Sequence, residues 1–353
     1  MEHPSWHTRV SETVQEMLRR ADAPGAGVAL LVDGKPVFEA SIGFRNVALT
    51  QALPEDARFY IYSITKTMVA VAILQLVEQG RLELDLPVQS YPGELPIAQP
   101  VTLRQLLNHT SGLPDYGALP AYEDAVRTNP QQPWSRTEFL EHTLRGDLLF
   151  MPGEGWHYSN IGYLLLLMVL EQSSGRELHE VLQQQIFMPL GLKATFVAQS
   201  LASAQNLSPG YSTFLSENNA LQDVRERYHP SWVAHGLVVS TAGELARFLQ
   251  ALFDGQLVGT RLLEEMYQPE IVGVSHRLFH QTAYGLGLML DPQSPYGLVA
   301  GHGGGGPGYS TAAFFLSDIK GRSVISVALV NRDVPDLGLE IAFTLADLLA
   351  YHS

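Results

Sequence analysis

The chain has 353 residues, 46% hydrophobic and 16% charged, with a formal net charge of −14 and no cysteine. That size and apolar content suit a globular protein with a sizeable core, organised as two domains or as one with an insertion. The acidic balance argues against nucleic acid or an anionic membrane as partner, and the lack of cysteine excludes a thiolate nucleophile, disulfides and cysteine metal ligation. The N-terminal Met1-Glu2-His3-Pro4-Ser5-Trp6-His7 lacks the basic and apolar segments of an export signal. The apolar runs at 69–77 and 164–170 are too short to span a bilayer. The expected location is therefore cytoplasmic.

Residues 5–21 have helical spacing, with Val10, Val14, Met17 and Leu18 on one side, until Pro24-Gly25 breaks it. Apolar runs at 27–32 and 36–42, joined by Asp33-Gly34-Lys35, predict a hairpin. A buried helix follows Ser63 and ends at Gly80, a natural left-handed terminator. Between about 81 and 230 the pattern is helices and proline-rich loops. Capping boxes are expected at Thr102 with Gln105, Ser135 with Glu138, and Thr241 with Glu244. Strand signal returns at 298–300, 311–316 and 324–330, and a helix from about 337 to 351 closes the chain. Strands at both ends imply one sheet assembled from both ends. The expected division is a sheet domain of 1–60 and 230–353, a mostly helical domain of 61–229, and a site at their seam.

Three segments carry chemistry. Ser63-Ile64-Thr65-Lys66 heads the helix at 67–77, and residues three apart share a helical face. A desolvated lysine there can be neutral enough to take the serine proton; alternatively Ser63 only caps the helix. Ser317-Asp318-Ile319-Lys320 repeats the spacing, but it lies between strand-like runs and precedes Gly321, which is turn chemistry with nothing to bury the lysine. In Tyr158-Ser159-Asn160, an extended backbone points the first and third side chains the same way. The phenol can relay a proton, most readily if a nearby cation favours the phenolate, and the amide can donate to and accept from a substrate amide; alternatively Asn160 caps the following helix. Gly301-His302-Gly303-Gly304-Gly305-Gly306-Pro307-Gly308 has dinucleotide-motif spacing, but Pro307 and a strand follow where a helix is required. Its His-Gly-Gly-Gly string and Gly308-Tyr309-Ser310-Thr311-Ala312 mimic an α/β-hydrolase oxyanion segment and nucleophile elbow, but they stand too close together, and no histidine follows Ser310 until His352 at the tail. A glycine-lined strand edge, with His302 facing a pocket, is the remaining functional reading, beside that of a surface turn.

With these elements in chain order, the sequence resembles the serine β-lactamase/penicillin-binding-protein superfamily, and within it the class C-like esterases and D-amino-acid peptidases. Ser63-Ile64-Thr65-Lys66 matches S-x-x-K, Tyr158-Ser159-Asn160 matches Y-x-N, and His302-Gly303-Gly304 matches K/H-x-G. The segments 102–114, 189–192 and 236–242 are also similar to the family, and His109 within the first is read as structural. The resemblance covers residue 23 to the C-terminus. It implies an α+β fold, an antiparallel sheet flanked by helices with a large, mostly helical insertion. It further implies Ser63 as nucleophile, with Lys66 and Tyr158 sharing the acid/base work in an order the sequence leaves open. Asn160, His302, Gly304 and Gly305 would line the substrate, with the backbone N–H groups of Ser63 and Gly305 as oxyanion hole. No cofactor or metal is implied. The expected substrate is a small ester, amide or D-peptide, with D,D-carboxypeptidase, transacylase or weak penicillin binding as alternative and a catalytically silent binding module as a remote one. His302 and Gly303 replace the lysine and hydroxyl residue expected of a class C β-lactamase, which directs the reading to esters or D-peptides. Loops at 114–133 and 207–228 are expected to set specificity.

Overall fold

The computed structural model describes residues 6–91 and 97–350; the helix starts and ends anticipated at Ser5 and Tyr351 lie outside them. Eight strands make the main sheet: β1 (Gly25–Val32), β2 (Lys35–Gly43), β3 (Glu270–Ile271), β4 (Ala283–Tyr284), β5 (Met289–Asp291), β6 (Val299–Gly306), β7 (Tyr309–Leu316) and β8 (Val324–Val330), in spatial order β2-β1-β8-β7-β6-β5-β4-β3. Every pairing is antiparallel. The β1–β2 hairpin turns where expected, through Asp33 and Gly34 at φ +48° and +73°. The sheet closes across the chain, β1 pairing with β8 from Ala26↔Val330 to Val32↔Val324.

Among the described residues, five helices reach twelve residues: α1 (Trp6–Arg20), α2 (Thr65–Glu78), α3 (Asn160–Ser174), α4 (Ala242–Phe253) and α5 (Leu337–Ala350). Side chains alternate across a strand, and both faces of β1 are buried. Val28 and Leu30 join Val10, Val14 and Leu18 of α1 and Ile341 and Leu345 of α5 in one apolar cluster. Ala29 and Leu31 join a second cluster that runs through α4 and α2 to Leu164–Leu167 of α3. α2 is buried on nearly every side, from Thr65 to Leu74, as its unbroken apolar run requires. It ends with Gly80 at φ +68°. No helix of the described residues is long and apolar enough to cross a membrane.

The caps at Thr102 and Ser135 form complete boxes with Gln105 and Glu138. The third differs. Thr241 accepts from the Glu244 amide, but the Glu244 carboxylate turns to the Ala194 N–H (3.0 Å) and the Thr195 hydroxyl (2.6 Å). Those donors tie α4 to the loop before Phe196–Val197, a tertiary bond that outcompetes the local one.

Candidate active site

The strand Phe59–Tyr60 pairs with Val238–Ser240 and then turns sharply. Tyr62 has φ +46°, a left-handed conformation that disfavours side chains, by roughly 1–3 kcal/mol. Its hydroxyl donates to the Pro307 carbonyl at 2.6 Å, which holds the turn. Ser63 follows in the short turn Tyr62–Ile64, two residues before α2 begins. This turn presses against β6, and the pressure explains the glycines there. A Cβ on Gly304 would lie 2.3 Å from the Ile61 carbonyl oxygen, and one on Gly306 would lie 2.3 Å from the Tyr62 ring. Gly305, between them, faces open space. β5 pairs with β6 only as far as Met289↔Gly301, so the backbone beyond that point forms the glycine-lined edge anticipated from the sequence.

Lys66 is fully buried. Its Nζ lies 3.4 Å from Ser63 Oγ, 2.7 Å from Asn160 Oδ1 and 3.2 Å from His235 Nε2. It also stands 4.9 Å from the centre of the Tyr158 ring. Desolvation pushes this amine down to about 7, against an opposing pull from the Asp115 carboxylate. Near neutral pH the lysine is therefore substantially an uncharged amine beside a hydroxyl.

Burial pushes the Tyr158 phenol well above its usual range and the Asp115 charge adds to this, against a downward pull from the Ser63 hydroxyl. Lys66 lies over the ring face and does not rescue a phenolate. The phenolate anticipated under a nearby cation is thus disfavoured, and the resting group is a neutral phenol. His109, buried at φ +65°, packs on Tyr158 with ring centres 4.4 Å apart and accepts from the Ser159 N–H at 3.1 Å. The ring thus packs against one side of Tyr158.

Ser159, not Asn160, caps α3, its hydroxyl accepting from the Gly162 amide at 3.2 Å. Asn160 is left free to face inward. Both Asp115 oxygens hold it, accepting from its backbone N–H at 2.9 Å and its Nδ2 at 3.2 Å. The amide oxygen is thereby turned to Lys66.

His302 lines the cleft but is nearly fully buried, and both ring nitrogens are engaged. Nε2 meets the Tyr284 hydroxyl at 2.8 Å and Nδ1 meets the Gly303 carbonyl at 2.5 Å. Burial holds the ring neutral, down to about 3. It offers substrates a shaped wall and no charge.

A cleft of about 630 Å³ opens over Ser63, Tyr158, His302 and Gly303–Gly306, and a second cavity of about 210 Å³ adjoins Ser63, Asn160 and His235. Tyr122 and Phe214 reach into the larger cleft from the two segments anticipated as loops, though Tyr122 sits on a short helix, Pro120–Thr128. The sequence reading missed Asp115, His235 and a third wall, Asp333–Asp336 with Leu339. Asp115 directly follows the family-like segment that stops at Pro114, and that adjacency was the available signal. Among the described residues lining the larger cleft there is no arginine or lysine.

The family model described as Beta-lactamase matches residues 10–350. Penicillin-binding protein 4* of Bacillus subtilis is 30% identical over 298 residues, 81% of this chain and 64% of that protein; the chain thus spans under two thirds of this relative. Among solved structures, a D-stereospecific amidohydrolase from Streptomyces sp. superposes with a TM-score of 0.79 at 30% identity, covering 96% of this chain and 98% of that one. The D-amino acid amidase from Ochrobactrum anthropi SV3 complexed with L-phenylalanine gives 0.79 at 25% identity, covering 97% and 96%.

Proposed function

The chain belongs to the beta-lactamase family, and on that premise we propose that it is a serine hydrolase acting through an acyl-enzyme on D-amino-acid amides and small carboxylic esters. The single observation that carries this is the buried Lys66 amine, held down to about 7, 3.4 Å from the Ser63 hydroxyl. Resting distances of this kind tighten when substrate arrives.

In the proposed mechanism the lone pair of Lys66 takes the Ser63 proton as Oγ attacks the substrate carbonyl carbon. The backbone N–H groups of Ser63 and Gly305 receive the oxyanion, at about 3 kcal/mol of barrier each. On collapse, the bond to the leaving nitrogen or oxygen breaks. That atom takes the proton of Tyr158, and the Lys66 ammonium returns one to the resulting phenolate. Water then gives a proton to the same amine as it attacks the ester carbonyl; the bond to Oγ breaks, the Lys66 ammonium returns that proton to Ser63, and the acid leaves. The neutral phenol of Tyr158 supports the reading of Tyr158 as proton donor and of Lys66 as base.

Three features support the substrate class. The larger cleft, about 630 Å³, suits one amino-acid amide or a short ester. It carries no fixed cation, and His302 is neutral, so a carboxylate such as that of a β-lactam or a C-terminal dipeptide gains no charge partner. Two proteins of matching length, named for D-stereospecific amide hydrolysis and D-amino-acid amides, share the fold.

The test is fluorophosphonate labelling with the adduct located by mass spectrometry, beside turnover of D-amino-acid amides and p-nitrophenyl esters. Label at Ser63 and a loss of at least about 10³-fold in Ser63→Ala are expected. Label at another serine, or undiminished turnover, sinks the reading. Faster cleavage of a D-Ala-D-Ala peptide than of either substrate replaces it with a D,D-carboxypeptidase.

A further inference from the structure

His235 sits just before the strand Val238–Ser240, which lies beside the strand leading into the Ser63 turn. Thr65, next to Lys66, fastens this segment, its hydroxyl accepting from the Val238 N–H at 3.1 Å. The ring is 1% exposed, places Nε2 3.2 Å from Lys66 Nζ, and has no partner for Nδ1 among the described residues. A buried imidazole with one nitrogen on the amine and the other unsatisfied is a standing expense in stability.

The hydrogen-bond inventory of Lys66 gives it a use. Asp115 can only accept, so the Asn160 amide must present its NH₂ to Asp115 and its oxygen to Lys66. One Lys66 N–H therefore goes to Asn160. A neutral amine has a second N–H and one lone pair, and two neighbours remain, Ser63 Oγ and His235 Nε2. If Nε2 accepts the second N–H, the lone pair is left for the Ser63 hydroxyl. If Nε2 carries a hydrogen, it occupies the lone pair, and the amine can only donate to Ser63. The first arrangement makes a base and the second disables it.

We propose that His235 is a positioning residue that, as the Nδ1–H tautomer, accepts one N–H of Lys66 and so directs the amine's lone pair onto Ser63. It touches no substrate in this role and acts through the lysine. The inference rests on the serine-hydrolase reading above, with Ser63→Ala as the arbiter of that reading.

The experiment compares His235→Phe, which removes the acceptor, with His235→Gln, whose amide oxygen restores one at similar reach. Steady-state kinetics on a D-amino-acid amide and the rate of fluorophosphonate labelling at Ser63 are measured together, with melting curves for each variant. His235→Phe is expected to lower kcat and the labelling rate by about 10- to 100-fold, with KM changed less than twofold. His235→Gln is expected to recover to within about threefold of wild type. Should the Phe variant fail to fold, His235→Leu makes the same comparison without the bulk. Unslowed labelling in the apolar variants, or equal impairment of Gln and apolar variants, overturns the proposal while leaving the nucleophile standing. Activity surviving in Ser63→Ala overturns the underlying reading instead.

Discussion

The molecule contains the same tetrad spacing twice, and the copies have opposite fates. Ser63 and Lys66 lie at the mouth of a helix sunk in the core, where Lys66 is fully buried and its amine is pushed down to about 7. Ser317 and Lys320 lie in the β7–β8 turn, where Lys320 is exposed at φ +54°. There the polar groups serve the backbone: the Ser317 hydroxyl accepts from the Leu298 N–H at 2.7 Å, and the Asp318 carboxylate accepts from the Gly321 N–H at 2.6 Å. Spacing alone makes a serine and a lysine neighbours. Desolvation is what lowers the amine of the buried copy towards the neutral form.

The largest expected contrast comes from removing each amine. Lys66→Met should lower kcat/KM by about 10³-fold, in the range for losing a general base, whereas Lys320→Met should stay within twofold. Equal effects of the two substitutions would dissolve the distinction.

A second measurement reads the burial directly. An amine near 7 in the folded protein and near 10.5 when solvated binds more protons unfolded than folded between those pH values, so its contribution to stability rises with pH across that window. At pH 7 and below, the unfavourable term amounts to several kcal/mol by the usual conversion of about 1.4 kcal/mol per tenfold. Lys66→Met should therefore melt above wild type at pH 7, and the gap should narrow steadily towards pH 10. A gap independent of pH would mean the amine is not desolvated.

The smallest effect is expected for Ser317→Ala, which removes one acceptor from a turn. A loss of about 1 kcal/mol or less in chemical denaturation, with unchanged turnover, completes the comparison.

What was legible in the sequence follows the same division. The Ser63 helix, its end at Gly80, the hairpin through Asp33 and the strands at both ends are written in local periodicity and turn residues, and the structure has them. The glycine run was legible as a close approach, though not what approaches, since the contact is with Ile61 and Tyr62, more than 240 residues earlier. The protonation of Tyr158 was not legible, because it depends on burial by His109 and neighbouring aromatics. Asp115 and His235 reach Asn160 and Lys66 across 45 and 169 residues, and no local pattern marks such partners. Glu244 kept its place in the first turn of α4 but gave its carboxylate to a distant loop for the same reason.

The pairing of β1 with β8 sets the order in which this site can come into being. As the chain grows from its N-terminal end, the serine, the lysine and their helix emerge early, but the strand edge beside them is made of residues 302–306. The neighbour that completes the sheet beside Gly25, through the Asn331 side chain at 2.8 Å, is 306 residues downstream. Contacts of such separation form late and slowly. Until residues 302–306 have been made and paired, Ser63 and Lys66 therefore stand without the strand edge that walls their cleft.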